Sequence, residues 1–231
     1  MKTDSRHLEV VSVDDLARRL GFPEALDYPQ ASREKSLTDW KMESDDAPIF
    51  RYLYRNFRPR RHLEFGTWQG TGVLYCLEEC DATVWTINLP QGEADDQGKR
   101  SYEQDDGASI GRFYREKGLG NRVCQIYCDS LDWETTHYPP GFFDSVLIDG
   151  GHRADIVQSD TAKALSLLRP GGLCLWHDFC PDPQVLRMSP TSLGVVAAIT
   201  KNWTAICSRM EDIFWIRPSY LLAGIVRQPA S

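Results

Sequence analysis

Five short apolar segments recur through the middle of this chain, and stretches of helical spacing lie between them. The apolar runs are HLEF (62–65), TVWTINL (83–89), RVCQIYC (122–128), SVLIDG (145–150) and LCLWHDF (173–179). The intervening stretches are TGVLYCLEE, SIGRFYREKG and DIVQSDTAKALSLL. Parallel strands need long crossovers, and a helix is the usual one. The alternation therefore dictates βαβ units and a mostly parallel, doubly wound α/β sheet with helices on both faces. A chain of 231 residues with 42% hydrophobic content is large enough to bury one sizeable core of this kind.

The ends of the chain are read less sharply. Residues 1–45 are polar and interrupted by Pro23 and Pro29, so they are set apart from a main domain at 46–231. VDDLARRLGF predicts a short helix ending at Gly21, and DDAPIFRYLYRNF predicts a second with Pro48 in its first turn. The N-terminal segment is expected to form a lid or a homodimer contact. Near the other end, SLGVVAAITKNW reads as a helix, followed by TAICSR, DIFWIRP and LLAGIVRQ.

Charge and cysteines narrow the function classes. A net charge of -7 and a pI near 5.3 argue against a general nucleic-acid binder. The basic cluster RNFRPRRH (55–62) reads as a solvated helix C-terminus, where Arg complements the dipole. No apolar run approaches the roughly twenty residues of a membrane span, and the charged N-terminus lacks a signal peptide's apolar core. The seven cysteines, an odd count sitting mostly in apolar runs, read as reduced buried thiols. A cytoplasmic protein with neither a membrane nor a nucleic-acid partner is expected.

The first crossover carries the first functional signal. HLEFGTWQG ends an apolar strand in Glu64 and turns through Gly66 and Gly70 into a helix. Ligands of doubly wound sheets bind at such carboxyl ends. Gly66 permits dihedrals closed to other residues, and Gly70 is expected to let the helix approach a ligand closely. The G-x-G-x-x-G of dinucleotide sites is missing, and an acid at the strand end suits an ammonium better than a pyrophosphate.

Glu64-Phe65-Gly66-Thr67-Trp68-Gln69-Gly70 resembles motif I of class I SAM-dependent methyltransferases, and the likeness runs over about residues 45–180. It implies a Rossmann-like, seven-stranded sheet finished by an antiparallel C-terminal strand. It also implies that Glu64, Gly66, Thr67, Trp68, Gly70 and Asp149 contact S-adenosylmethionine (SAM). Asn88 stands where the family places the acid that holds the ribose, with Glu93 just beyond as a substitute. Asp129-Ser130 look like the adenine contact, and the RPGG turn before LCLWHDF is similar to the family's corresponding turn.

IDGGH and WHDF put Asp149, His152, His177 and Asp178 at the ends of consecutive strands, about 4.8 Å apart if adjacent. Carboxylates with imidazole suit a divalent cation. The arrangement resembles small-molecule O-methyltransferases of the catechol, sugar and macrolide-sugar type. That implies a metal, Mg²⁺ with Mn²⁺ or Fe as alternatives, on Asp149, His177 and Asp178, although His177 departs from the usual acid. Asp149 and His152 are the expected catalytic residues, with His152 or His177 as general base if no metal binds. The long polar run 91–107 reads as a loop able to close over a ligand. The expected activity is methyl transfer from SAM to a hydroxyl of a small molecule, a sugar or a natural-product intermediate. A SAM-using cyclase or non-catalytic SAM-binding module is a second reading, and a nicotinamide-dependent dehydrogenase is a third.

Overall fold

A computed structural model describes residues 7–94 and 109–229. Eight strands form one sheet: β1 (Glu9–Ser12), β2 (Arg61–Phe65), β3 (Thr83–Asn88), β4 (Val123–Tyr127), β5 (Phe143–Ile148), β6 (Leu168–Trp176), β7 (Met210–Arg217) and β8 (Leu221–Val226). The helices are α1 (Leu16–Leu20), α2 (Gln30–Arg33), α3 (Ala47–Phe57), α4 (Thr71–Glu79), α5 (Arg112–Glu116), α6 (Ala154–Leu167), α7 (Pro183–Met188), α8 (Pro190–Lys201) and α9 (Trp203–Arg209). None of the described helices is long and apolar enough to cross a membrane.

The strand order is β1-β7-β8-β6-β5-β2-β3-β4. β2 pairs in parallel with β3 on one side and β5 on the other, so the winding reverses between β2 and β5. Only β8 runs against its neighbours, antiparallel to both β6 and β7. The sheet has one strand more than the seven expected. The extra one is β1, which pairs in parallel with β7 at the outer edge. Its sequence EVVS is four residues long and buries only Val11, too short a pattern to stand out in a polar segment. TAICSR is helical, as α9, and DIFWIR enters β7.

Side-chain alternation divides the interior into two layers. Along β6, Cys174 and Trp176 join the layer under α6, α8 and α9, which includes Val157, Ala164, Ile199 and Ile206. Leu173 and Leu175 face the layer under α3 and α4, with Ile49, Phe50, Leu53, Val73 and Leu77. Full burial of one such aliphatic side chain contributes about 1.5–3 kcal/mol. The two layers bring α3 and α6 against opposite faces of β5 and leave the carboxyl ends of β2, β3, β5 and β6 open.

Candidate active site

Backbone hydrogen bonds knit those strand ends into one ledge. Gly66 N–H donates to the Ile87 carbonyl, Asp149 N–H to the Phe65 carbonyl and His177 N–H to the Ile148 carbonyl, at 2.9, 2.9 and 3.0 Å. Gly66 has φ +94°, and a Cβ there would overlap the Asp149 carbonyl. The strand ends close this tightly only around glycine.

Above the ledge opens a cavity of about 630 Å³. Gly66, Trp68, Asn88, Asp129, Ser130, Asp149, His152, His177 and Asp178, all expected at the site, line it. Trp68 adopts a left-handed φ of +44° and is 51% exposed as a residue. Asn88 lines the wall but spends its side chain on the backbone: Oδ1 accepts from Trp68 N–H at 3.1 Å, and Nδ2 donates to the Leu89 carbonyl at 2.7 Å. Asp129 Oδ1 accepts from Leu131 N–H at 2.8 Å, fixing the turn after β4. Glu93 is exposed and outside the lining.

Three expected contacts lie elsewhere. Glu64 is 1% exposed, and its carboxyl turns beneath the glycine turn against Gly72 at the start of α4. Burial, reinforced by the charge of Asp149, pushes the Glu64 carboxyl well above its ordinary pKa. Thr67 is buried and bonds Thr86 Oγ1 at 2.7 Å and Gln125 Nε2 at 2.9 Å, so it serves packing between β2 and its neighbours. At Gly70 the space a Cβ would need is filled by Tyr114 of α5, so only glycine lets α4 and α5 approach this closely.

At the other end of the cavity, ligand atoms of Asp149, His152 and Asp178 lie within 4.8 Å of one another. This is not the expected trio, because His152 takes the place of His177. The reason is His177's surroundings. Its Nδ1 lies 3.0 Å from Asp149 Oδ1 and its Nε2 lies 3.1 Å from Asp46 Oδ2. Burial alone would lower its pKa, but the carboxylates of Asp149 and Asp178 outweigh that and hold it well above the ordinary value. Both ring nitrogens of His177 are thus engaged by carboxylates. Asp178, in turn, would be raised by burial, but the charge of His177 and the close approach of the His152 and His177 side chains hold it below the ordinary value. His152 is different: its Nε2 approaches Asp178 Oδ2 at 2.8 Å, yet the atom is buried with no directed hydrogen bond. Asp178 also has a left-handed φ of +56°, a backbone outlier of the sort that clusters at functional sites.

The wall facing this trio comes from the N-terminal segment. Trp40, Lys41, Met42 and Glu43 line the cavity, and Met42–Asp46 form a single π-helical turn, a rare geometry found often at functional sites. Neither this wall nor Asp46 is visible in the sequence as a functional feature. Asp46 precedes α3 without making a side-chain cap bond to it.

A doubly wound sheet with a reversed β8, and a cavity at its switch point lacking the dinucleotide fingerprint, define the class I methyltransferase architecture. The chain belongs to the methyltransferase-domain family, whose model matches residues 63–179, just over half of its length. No curated protein sequence matches it. Among solved structures it is similar to the SAH-bound methyltransferase PaMTH1 of Podospora anserina, with 17% identity and a TM-score of 0.57, over 87% of this chain and 83% of that one. The O-methyltransferase TomG of Streptomyces achromogenes, involved in tomaymycin synthesis and bound to SAM, is similar over 94% and 88%, with 17% identity and a TM-score of 0.53. An O-methyltransferase from Bacillus cereus in complex with SAH is similar over 93% and 97%, with 19% identity and a TM-score of 0.54. At such identities the likeness is one of fold.

Proposed function

We propose that this protein transfers a methyl group from SAM to a hydroxyl of a small molecule, with a divalent cation held by Asp149, His152 and Asp178. Family membership supports methyl transfer, and the O-methyltransferases among the structural neighbours support oxygen as the acceptor atom. The cavity suits a nucleoside-sized ligand, since small-molecule sites run to about 300–1,000 Å³. Its described lining holds no arginine and a single lysine, Lys41, on the wall away from the glycine turn, which fits a cofactor without phosphate.

The observation that carries the metal reading is the convergence of Asp149, His152 and Asp178, whose nitrogen and oxygen atoms lie within 4.8 Å of one another. Two carboxylates and an imidazole converging on one point suit a divalent cation. Such a cation would act as a Lewis acid and lower the pKa of the acceptor hydroxyl. The remaining tasks fall to the chain. Asp149, at the end of β5, stands between the cofactor end and the acceptor end of the cavity. Trp40 and Met42 give the acceptor an apolar wall that excludes water, and the strand-end ledge sets the line of approach. All seven cysteines are free thiols, which supports a reducing, cytoplasmic setting.

Calorimetry with SAM and SAH, followed by a radiolabelled-methyl assay against hydroxylated acceptors, tests the reading. Saturable binding of both nucleosides is expected, with transfer abolished by EDTA and restored by Mg²⁺, Mn²⁺ or Fe²⁺. Absence of binding at millimolar SAM defeats the cofactor assignment. Full transfer in EDTA after dialysis defeats the metal alone and leaves His152 as the general base.

A further inference from the structure

Asp46 is a carboxylate with no exposure to solvent, supplied by the N-terminal segment to a site built otherwise from the strand ends. Its two oxygens divide the work. Oδ1 accepts from Trp40 Nε1 at 2.8 Å and from Tyr220 N–H at 3.2 Å, which pins the cavity wall to the turn between β7 and β8. Oδ2 meets His177 Nε2 at 3.1 Å, across 131 residues of sequence. The far side of the same ring meets Asp149 Oδ1 at 3.0 Å. The His177 ring is 6% exposed and packs on Phe50, with centroids 5.8 Å apart, so it has little room to turn.

We propose that Asp46 is a positioning residue of the active site: acting through His177, it fixes the carboxylate of Asp149 in the orientation that metal binding needs. The proposal rests on the metal reading above. The physical case is one of orientation. Asp149 stands at a strand terminus, where its side chain has two free torsions and one wall open to the cavity. A hydrogen bond from His177 to Oδ1 removes that freedom and leaves Oδ2 to the site. The bond can hold Asp149 only if the imidazole is itself held, and Asp46 is the group on its other nitrogen. Groups one bond removed from a ligand typically change metal affinity or activity about 10–100-fold when lost. A buried carboxylate is also expensive unless charged or polar partners compensate it. Asp46 has a complete set, and one member leads directly to the ligand.

The test uses the full-length protein and Mn²⁺ alone, with free ion measured by electron paramagnetic resonance, alongside SAM calorimetry and thermal unfolding. Asp46→Asn keeps an oxygen for Trp40 and Tyr220 and replaces the carboxylate oxygen facing His177. His177→Gln cuts the middle of the chain of bonds. Asp45→Asn is the structural control: Asp45 lies in the same turn, but its carboxylate is tied to Ser32, Lys35 and the Lys41 N–H and not to His177. Expected are Mn²⁺ affinities about 10-fold or more weaker in Asp46→Asn and His177→Gln. The double variant should be no weaker than the poorer single one, because both act along one path. Asp45→Asn should lower the melting temperature yet leave Mn²⁺ affinity within about twofold. If Asp45→Asn weakens Mn²⁺ binding as much as Asp46→Asn does, the role of Asp46 is merely structural and the proposal is overturned. Wild-type protein that binds Mn²⁺ while Asp46→Asn binds it equally well, or additive losses in the double variant, would overturn the positioning role alone. Wild-type protein that binds no Mn²⁺ removes the metal reading and this inference with it.

Discussion

His62 lies in the middle of β2, fully buried, with Nδ1 2.7 Å from Ser145 Oγ and Nε2 3.3 Å from the Tyr54 hydroxyl. Burial lowers its pKa from 6.5 to about 3. In the unfolded chain the imidazole takes a proton near its ordinary value, whereas the folded protein keeps it neutral. Between about pH 3 and 6.5 the unfolded state binds more protons, so this residue makes stability rise with pH. One proton gives a slope of up to about 1.4 kcal/mol per pH unit. His62→Gln, whose amide still serves Ser145 and Tyr54, should flatten the dependence of unfolding free energy on pH by that amount. Urea titrations at pH 4 to 6.5 would read it, and identical slopes in the two proteins would refute a neutral buried His62. Two residues along the strand, Glu64 is governed by the same desolvation. Its type and spacing mark a cofactor motif, but only packing shows that the carboxyl turns under the helix and away from the cavity.

Elements of the crossovers are held at their ends as much as along their faces. α4 begins at Gly70 with φ +88° and ends at Cys80 in extended backbone. Arg122, from the segment entering β4, gathers carbonyls at and just beyond the C-terminus of α4. Its guanidinium donates to the carbonyls of Ala82, Leu77 and Cys80, at 3.0, 3.1 and 2.5 Å. A cation here also complements the helix dipole. Arg122→Met should cost about 2 kcal/mol, because three carbonyls lose a charged donor while partial exposure lets water replace some of it. In a chain of this size that is a fall in melting temperature of about 4–8 °C, measurable by calorimetry. An unchanged melting temperature would show that the helix end needs no such clasp. The strands and crossover helices were legible in the sequence because each repeats its pattern within a few residues. The π-helical turn at 42–46 was not, since it has no periodicity and is set by what Asp45 and Asp46 reach in space.

Across the whole molecule the sheet has two edges, and β1 covers the one that β7 would otherwise present. Val13 N–H extends that pairing to the Arg217 carbonyl at 2.9 Å. Removing residues 1–13 should uncover the β7 edge and promote self-association, because an open strand edge is a template for pairing. The cavity lies beyond β8 and β6, at the β2–β5 reversal. SAM affinity should therefore stay within about threefold of the full-length value. Light scattering and calorimetry on the truncated chain would show both, and a collapse of SAM binding would contradict this separation of edge from site. The polar run at 91–107, expected to close over a ligand, falls largely outside the described residues. By itself the sequence determined the alternating strands and helices, the place of the ligand crevice, and Asp149 and Asp178 as groups at its floor. Those are properties of local pattern and of strand ends. Tertiary structure alone decided that Asp149, His152 and Asp178 converge while both nitrogens of His177 face Asp149 and Asp46, that Glu64 is buried away from the cavity, and that Asp46 reaches His177. Each of these depends on which side chains meet across a closed sheet, and on single dihedrals such as the left-handed φ of Asp178, which neighbouring residues in the chain do not specify.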